Sequence, residues 1–366
     1  MQYSIIQSVP SEFSVRQYVD FQNGIAATHR QVPYSTTDAT IKSMLREKFT
    51  DRQRQFVVSD ENENWIGHVV ARVSPTLRDA NDAPQGMLGF FGAVNDQAAI
   101  IDLLHDASQW LREQGCQEIV GPIDGDTWHS YRLNTGPYDE PLFLSEPGNP
   151  EYYPSLWTAA GFELVDRYHS KVIDDIQAVV PLIKPAFERA TEQGYRFRYL
   201  NADRFEEELD VIYDLSIAVF HDNYLYDEIS RDEFKSLYRR VSFLVDPRLV
   251  WFASDPEGQE IGFLFCIVDY APAIAVMKGQ QNAWAKLKFM FRRKFSNAVN
   301  FKSIGVIPEH RRSSVAAALM YQGYVESLAK GFRRANLCLI RDGNPSTKLD
   351  GGASRLLRRY ELYRSA

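Results

Sequence analysis

Residues 111–123 and 328–340 follow the same short pattern: the end of an amphipathic helix, a glycine (Gly115, Gly331), then a short apolar run. Glycine just past a helix supplies the left-handed conformation that closes it. The apolar run after it is too short for another helix and reads as a buried strand. One such helix–glycine–strand unit in each half implies two copies of an α/β unit rather than one large core. The chain has 366 residues, enough for two domains of about 180 residues each.

The two halves also share a wider rhythm. In the first, strands are expected over 3–7, 86–94 and 116–123, with a hairpin over 55–59 and 65–73. Helices are expected over 11–23 and 96–114, the latter with Ile100, Leu103, Leu104, Ala107, Trp110 and Leu111 on one face. In the second half, strands are expected over 195–200, 301–307 and 334–340, with a hairpin over 249–254 and 261–269. Helices are expected over 202–219 and 311–330. Ser230-Arg231-Asp232-Glu233 reads as a capping box opening a helix that runs through Phe243. The segment 174–193 is helical by pattern and would bridge the halves. The expected domains are therefore 1–175 and 176–366.

Composition narrows the function classes. The apolar share of 45% and charged share of 24% are those of an ordinary globular protein. A net charge of −7 argues against a nucleic-acid partner. No apolar run is long enough to span a bilayer, and the N-terminus lacks the basic and apolar regions of a signal peptide. Cys116, Cys266 and Cys338 are far apart, odd in number and set in apolar surroundings, as buried free thiols are. A cytoplasmic location is the expectation. His221, Asp222 and their acidic neighbours have no metal-ligand spacing, so no metal is expected.

The stretch Ile304-Gly305-Val306-Ile307-Pro308-Glu309-His310-Arg311-Arg312-Ser313-Ser314-Val315-Ala316 is the sharpest chemical signal. A strand ends at a basic, serine-containing turn, and a helix opens with its unpaired amides and positive dipole end. Such a turn suits a pyrophosphate. The spacing Arg311-x-x-Ser314-x-Ala316 resembles the acyl-CoA loop of the GNAT acyltransferase superfamily. By that resemblance each half is a GNAT-like domain of α/β (α+β) class, with a mixed, mostly antiparallel sheet flanked by helices. Arg311, Arg312, Ser313, Ser314, Val315 and Ala316 would cradle the phosphates of acetyl-CoA or another acyl-CoA. Backbone groups of Val306 and Ile307 would pair with the pantetheine arm. Ser314 stands where the family has glycine, and a left-handed backbone there would cost about 1–2 kcal/mol.

Residues 149–162, ending in Gly161-Phe162, resemble the late helix–strand unit of the same superfamily. Many members place an acidic tyrosine four residues before that glycine. Here the position holds Trp157, whose indole cannot serve as the acid. The early loop Phe91-Gly92-Ala93-Val94-Asn95-Asp96 lacks the phosphate-loop spacing. The first domain is therefore expected to have lost its donor site. In the second domain, 342–352 should carry the equivalent tyrosine and contains none, while Tyr360 and Tyr363 lie beyond it.

Acceptor residues are sought in two loops. Residues 121–132 leave a strand end with Asp126, Trp128, His129, Tyr131 and Arg132, groups able to orient a small polar amine. His129 is the candidate base. Residues 221–228 offer Tyr224, Asp227 and Glu228 as an acceptor wall. A third segment, 280–297, spaces Trp284, Leu287, Phe291 and Phe295 by three and four among Lys286, Lys288, Arg292, Arg293 and Lys294. That stripe either covers the domain's own sheet while the cations reach into water, or docks on an acyl carrier protein or an anionic membrane. The resemblance implies an acyl-CoA-dependent N-acyltransferase whose small-molecule or amino-acid-like amine binds between the domains. A ligand-binding regulatory protein that has lost turnover, and an aminoacyl-tRNA-dependent transferase of similar fold, are the alternatives.

Overall fold

The computed structural model describes residues 3–239 and 242–365. Along the chain the first strands and helices are β1 (Tyr3–Ser8), α1 (Glu12–Thr28), α2 (Thr37–Met44), β2 (Gln53–Asp60), β3 (Trp65–Arg78), β4 (Pro84–Ala93) and α3 (Gln97–Glu113). Next come β5 (Ile119–Gly121), β6 (Leu133–Gly136), α4 (Tyr153–Ala159), β7 (Glu163–Ile173) and α5 (Ile176–Glu192). These are followed by β8 (Arg196–Tyr199), α6 (Phe205–Phe220), α7 (Arg231–Arg239), β9 (Val250–Ser254), β10 (Glu260–Val268), α8 (Ala271–Ala275) and α9 (Ala283–Arg292). The chain ends with β11 (Ala298–Val306), α10 (Val315–Ala329), β12 (Arg334–Arg341) and β13 (Arg355–Ser365).

Two compact units result. One holds the chain up to Tyr168, Ala273–Phe291 and the end from Arg358; the other holds His169–Pro272 and Arg292–Leu357. In the first unit β1, β2, β3 and β4 form an antiparallel meander, β5 joins β4 in parallel, and β13 lies antiparallel to β5. In the second, β8, β9, β10 and β11 form the meander, β12 joins β11 in parallel, and the end of β7 borders β12. Each sheet is thus mixed and mostly antiparallel, as expected, with helices on it.

The repeated glycines behave alike. Gly115 and Gly331 both take φ +88°. In each case the glycine amide reaches back three residues, to Arg112 or Leu328, and the next amide reaches back five, to Leu111 or Ser327. This is one helix-closing motif used twice. Ahead of it, α3 buries Ile100, Leu103, Leu104, Ala107 and Leu111 against the first sheet. The corresponding α10 lies so close to the second sheet that a Cβ on Gly323 would sit 2.7 Å from Leu264 and 2.8 Å from Phe301. All three cysteines are free and buried.

Several expected boundaries move. The helix expected over 311–330 starts at Val315, because Pro308–His310 form a separate 3-10 turn. Ser230 does accept the Glu233 amide, but α7 stops at Arg239. Residues 242–244 form a 3-10 turn, and positions 240 and 241 lie outside the described residues. Helix α5, expected to bridge the halves, belongs to the second unit, where it packs on α10. The stripe of 280–297 does not cover a sheet. Helix α9 turns Ala285 and Phe289 inward and leaves Trp284, Leu287 and Phe291 exposed.

A buried ion pair ties β13 into the first unit. Arg358 and Glu146 are both fully buried and meet at 2.9 Å. The other guanidinium nitrogens donate to the carbonyls of Pro137 and Glu140, and Tyr360 donates to the same carboxylate. Removing one partner of such a pair strands the other charge away from water. Arg358→Met is therefore expected to cost about 3–5 kcal/mol of unfolding free energy. Urea denaturation checks this.

Candidate active site

The parallel pairing of β11 with β12 is short. It covers Ala298↔Arg334 to Phe301↔Leu337 and then stops, although β11 runs on to Val306 and β12 to Arg341. Leu339 takes φ +58°, a left-handed kink inside β12, and its amide bonds the Ser170 hydroxyl at 2.9 Å. The ladder therefore ends there, and β11 runs on from Lys302 to Val306 without pairing to β12.

Helix α10 begins after that strand end. Its first helical bond runs from the Ala318 amide to the Ser314 carbonyl, and the Ser314 hydroxyl caps nothing. Among the described residues, the amides of Ser314, Ala316 and Ala317 have no protein partner. Ser313 is occupied, donating to His310 and accepting from the Val315 amide. Ser314 sits at φ −78°, ψ 2°, so the side chain meets no left-handed penalty and glycine is not required.

The two arginines divide the work. Arg311 donates to the Val219 carbonyl at 3.0 Å and to the Val306 carbonyl at 3.4 Å, bracing the loop against α6 and β11. Arg312 is exposed and makes no hydrogen bond or ion pair among the described residues. Val306 and Val315 are buried, Ile307 and Ala316 half-buried. The Ile307 amide is already bonded to the Ile261 carbonyl. An anion at this loop would meet free amides and one uncommitted guanidinium, which fits a pyrophosphate.

The first unit closes the same gap. There β4 and β5 pair only at Gly86↔Ile119 and Met87↔Val120. Beyond that the Leu88 carbonyl accepts the Ile123 amide, the Asp124 carboxylate accepts the Phe90 amide at 2.6 Å, and the Ala93 amide donates to the Tyr153 hydroxyl. Trp157 is fully buried and packed so tightly on Gly121 that a Cβ there would lie 2.4 Å from its ring. Aromatic side chains of α4 and the 122–124 turn thus occupy the edge that β11 leaves open.

Asp126 organises the 121–132 loop. It is fully buried, receives Arg46 at 2.6 Å, Lys48 at 3.3 Å and His129 Nδ1 at 2.6 Å, and also accepts the Trp128 amide. Burial alone would raise its pKa. The His129 hydrogen bond and the charges of His129, Arg46 and Lys48 outweigh it and hold the carboxyl well below the usual range. Burial raises the neighbouring Asp124 to about 6, against the Phe90 hydrogen bond and the Arg72 charge. Arg132 is buried between the rings of Tyr131 and Tyr168, at 3.7 and 3.9 Å. Its Nε and Nη1 lack a protein partner among the described residues.

In the second unit Tyr224 lies 6.0 Å from the Arg341 guanidinium, beside the end of β12. Asp227 is buried, and exposed Glu228 is reached by the Tyr213 hydroxyl at 3.4 Å. The loop 342–352 forms a 3-10 turn at Pro345–Lys348. Tyr360 and Tyr363 are buried in β13 and bonded to Glu146 and Glu361. Sequence reasoning missed one pair. His169 Nδ1 meets Asp342 at 2.7 Å where β7 borders β12. The two residues are 173 positions apart, and no local pattern marks either.

Meander, parallel strand, splayed edge and helix-capped turn together form a recognisable arrangement. The tandem GNAT protein of the clavulanic acid biosynthesis pathway superposes with a TM-score of 0.54 at 12% identity, covering 100% of this chain and 98% of that one. The chain has the GNAT fold. Other GCN5-related N-acetyltransferases match as well. Among sequences, the bacterial ceramide synthase of Caulobacter vibrioides (strain NA1000 / CB15N) is 22% identical over 289 residues, 76% of this chain and 75% of that protein. Protein YghO of Escherichia coli (strain K12) is 23% identical over 315 residues, 81% and 78%. No protein-family model matches the GNAT-like chain.

The depressed Asp126 pKa has a pH consequence. Its contribution to stability is present above the unfolded value of about 3.9 and is lost as pH falls toward the folded value. Asp126→Asn is expected to flatten the acid limb of stability below about pH 4. Unfolding measured from neutral to acidic pH checks it.

Proposed function

We propose that this GNAT-fold protein is an acyl-CoA-dependent N-acyltransferase with its donor site in the second unit, between the diverging ends of β11 and β12. The observation that carries the reading is the open β11 edge beside the free amides of Ser314, Ala316 and Ala317. Those amides and Arg312 hold the pyrophosphate, Arg311 holds the loop in place, and the edge at Val306 lines the pantetheine arm. The donor supplies an acyl group already activated as a thioester. Acyl transfer to an amine forms a C–N bond, breaks the C–S bond and frees one amine proton.

His169 is the proposed base for that proton. A carboxylate on Nδ1 fixes the ring and leaves Nε2 to accept a proton, and the Asp342 contact has that form. Tyr224 and Arg341 line the same strand end as acceptor contacts, with Asp227 and Glu228 behind them. Trp128, His129, Tyr131 and Arg132, with Asp126 holding His129, are proposed as a separate polar binding loop of the first unit. Similarity to a protein named bacterial ceramide synthase puts the amines from which ceramides are made among the first acceptors to screen, beside amino-acid-like amines.

Calorimetric titration with CoA, acetyl-CoA and a long-chain acyl-CoA tests the donor site. At least one should bind, and Arg312→Glu should weaken it about tenfold or more, through loss of one charge and repulsion by its replacement. Failure of all three to bind overturns the reading. His169→Ala should leave donor affinity unchanged while transfer falls about 10²–10⁴-fold. Asp342→Asn should shift the pH–rate profile, which a purely structural role would not do.

A further inference from the structure

Helix α9 is amphipathic in the opposite sense from a core helix. Ala285 and Phe289, four apart, form its inward face. The outward face carries Trp284, Leu287 and Phe291, continued by Phe295 in the 3-10 turn Arg293–Phe295. These four side chains are 58–66% exposed, and Met290 beside them is 50% exposed. Ile274 and Val276 are also exposed, so seven of the fifteen large exposed apolar side chains among the described residues fall between 274 and 295. That concentration separates this patch from the scattered apolar residues every surface has.

Its charge is equally one-sided. Between Asp269 and Glu309 the chain has seven basic residues and no acidic one, within a protein of net charge −7. Lys286, Lys288, Arg292 and Lys294 are exposed around the apolar stripe. Lys288 lies 5.6 Å from the Trp284 ring and Arg292 lies 6.0 Å from Phe295. A row of large apolar groups ringed by cations, with a tryptophan at one end, is the pattern that settles at the boundary between lipid headgroups and acyl chains. The apolar row enters the boundary and the cations meet anionic headgroups, each signal reinforcing the other. An acidic carrier protein would complement the cations but gives no reason for so long an exposed apolar row.

We infer that Ala283–Phe295 is an interfacial helix that seats the protein on an anionic lipid surface. It lies flat on the bilayer rather than crossing it, since no helix among the described residues is long and apolar enough to span a membrane. This inference rests on exposure and charge at α9 and is independent of acyl transfer.

Co-sedimentation of the full chain with vesicles tests it. The protein should pellet with phosphatidylcholine vesicles containing about one-third phosphatidylglycerol, and about tenfold less with phosphatidylcholine alone. Leu287→Glu with Phe291→Glu should abolish pelleting. Charge reversal at Arg292, Arg293 and Lys294 should weaken it about tenfold or more and remove its salt sensitivity. Because Leu287 and Phe291 are exposed, the double variant should keep the wild-type circular dichroism and thermal midpoint. The inference is overturned by wild-type protein staying in the supernatant with anionic vesicles, by the double variant pelleting as well as wild type, or by light scattering showing that the patch is covered by a second copy. Saturable binding to acyl carrier protein with no vesicle binding would likewise overturn it.

Discussion

Four residue pairs hold β11 to β12 before the ladder ends, and the proposed donor site depends on that ending. A parallel pair left unfinished exposes backbone hydrogen-bonding groups that must find partners. In the first unit the chain supplies them itself, through Ile123, Asp124 and Tyr153. In the second unit the corresponding segment, 342–352, is a short turn without an aromatic plug. One topology therefore yields an edge filled by the chain in one place and a strand end left unpaired to its parallel neighbour in the other. The difference lies in the residues that leave the end of the parallel strand.

The polar interior of the first unit shows how much loop geometry a few buried charges can fix. Asp126 gathers Arg46, Lys48 and His129, drawing a segment before β2 onto the loop after β5. Arg72 does similar work, donating to Gln53, to the Asp124 carbonyl and to the carbonyls of Ser43 and Met44. Such groups are costly to bury singly and stable only as satisfied networks. Arg132, stacked between Tyr131 and Tyr168, buries Nε and Nη1 without a protein partner among the described residues.

Much of the fold was legible because local signals agreed. Alternation, helical spacing and terminal glycines place β2, β3, α3, β10 and β12 close to where they lie. Errors fall where one signal overrode another. The helix expected from Arg311 begins only at Val315, since Pro308–His310 form a 3-10 turn and the basic residues after it stay outside the helix. The stripe of α9 reads equally as core or as docking surface, since spacing reveals a face but not what covers it. Ser314 carries none of the strain a left-handed backbone would bring, because its φ is −78°, a property that residue identity alone does not fix.

The sequence by itself determined the repeat, the phosphate-loop candidate, and Trp157 with a tyrosine-free 342–352 segment, because each is a pattern within a few neighbouring residues. Tertiary structure decided what lies far apart in the chain. It brought His169 to Asp342, pinned Arg311 to two carbonyls and left Arg312 free. It also filled one strand edge while opening the other, and turned the apolar face of α9 outward. Side-chain identity sets what a group can do, whereas its partners and its access to water come only from the packing of distant segments.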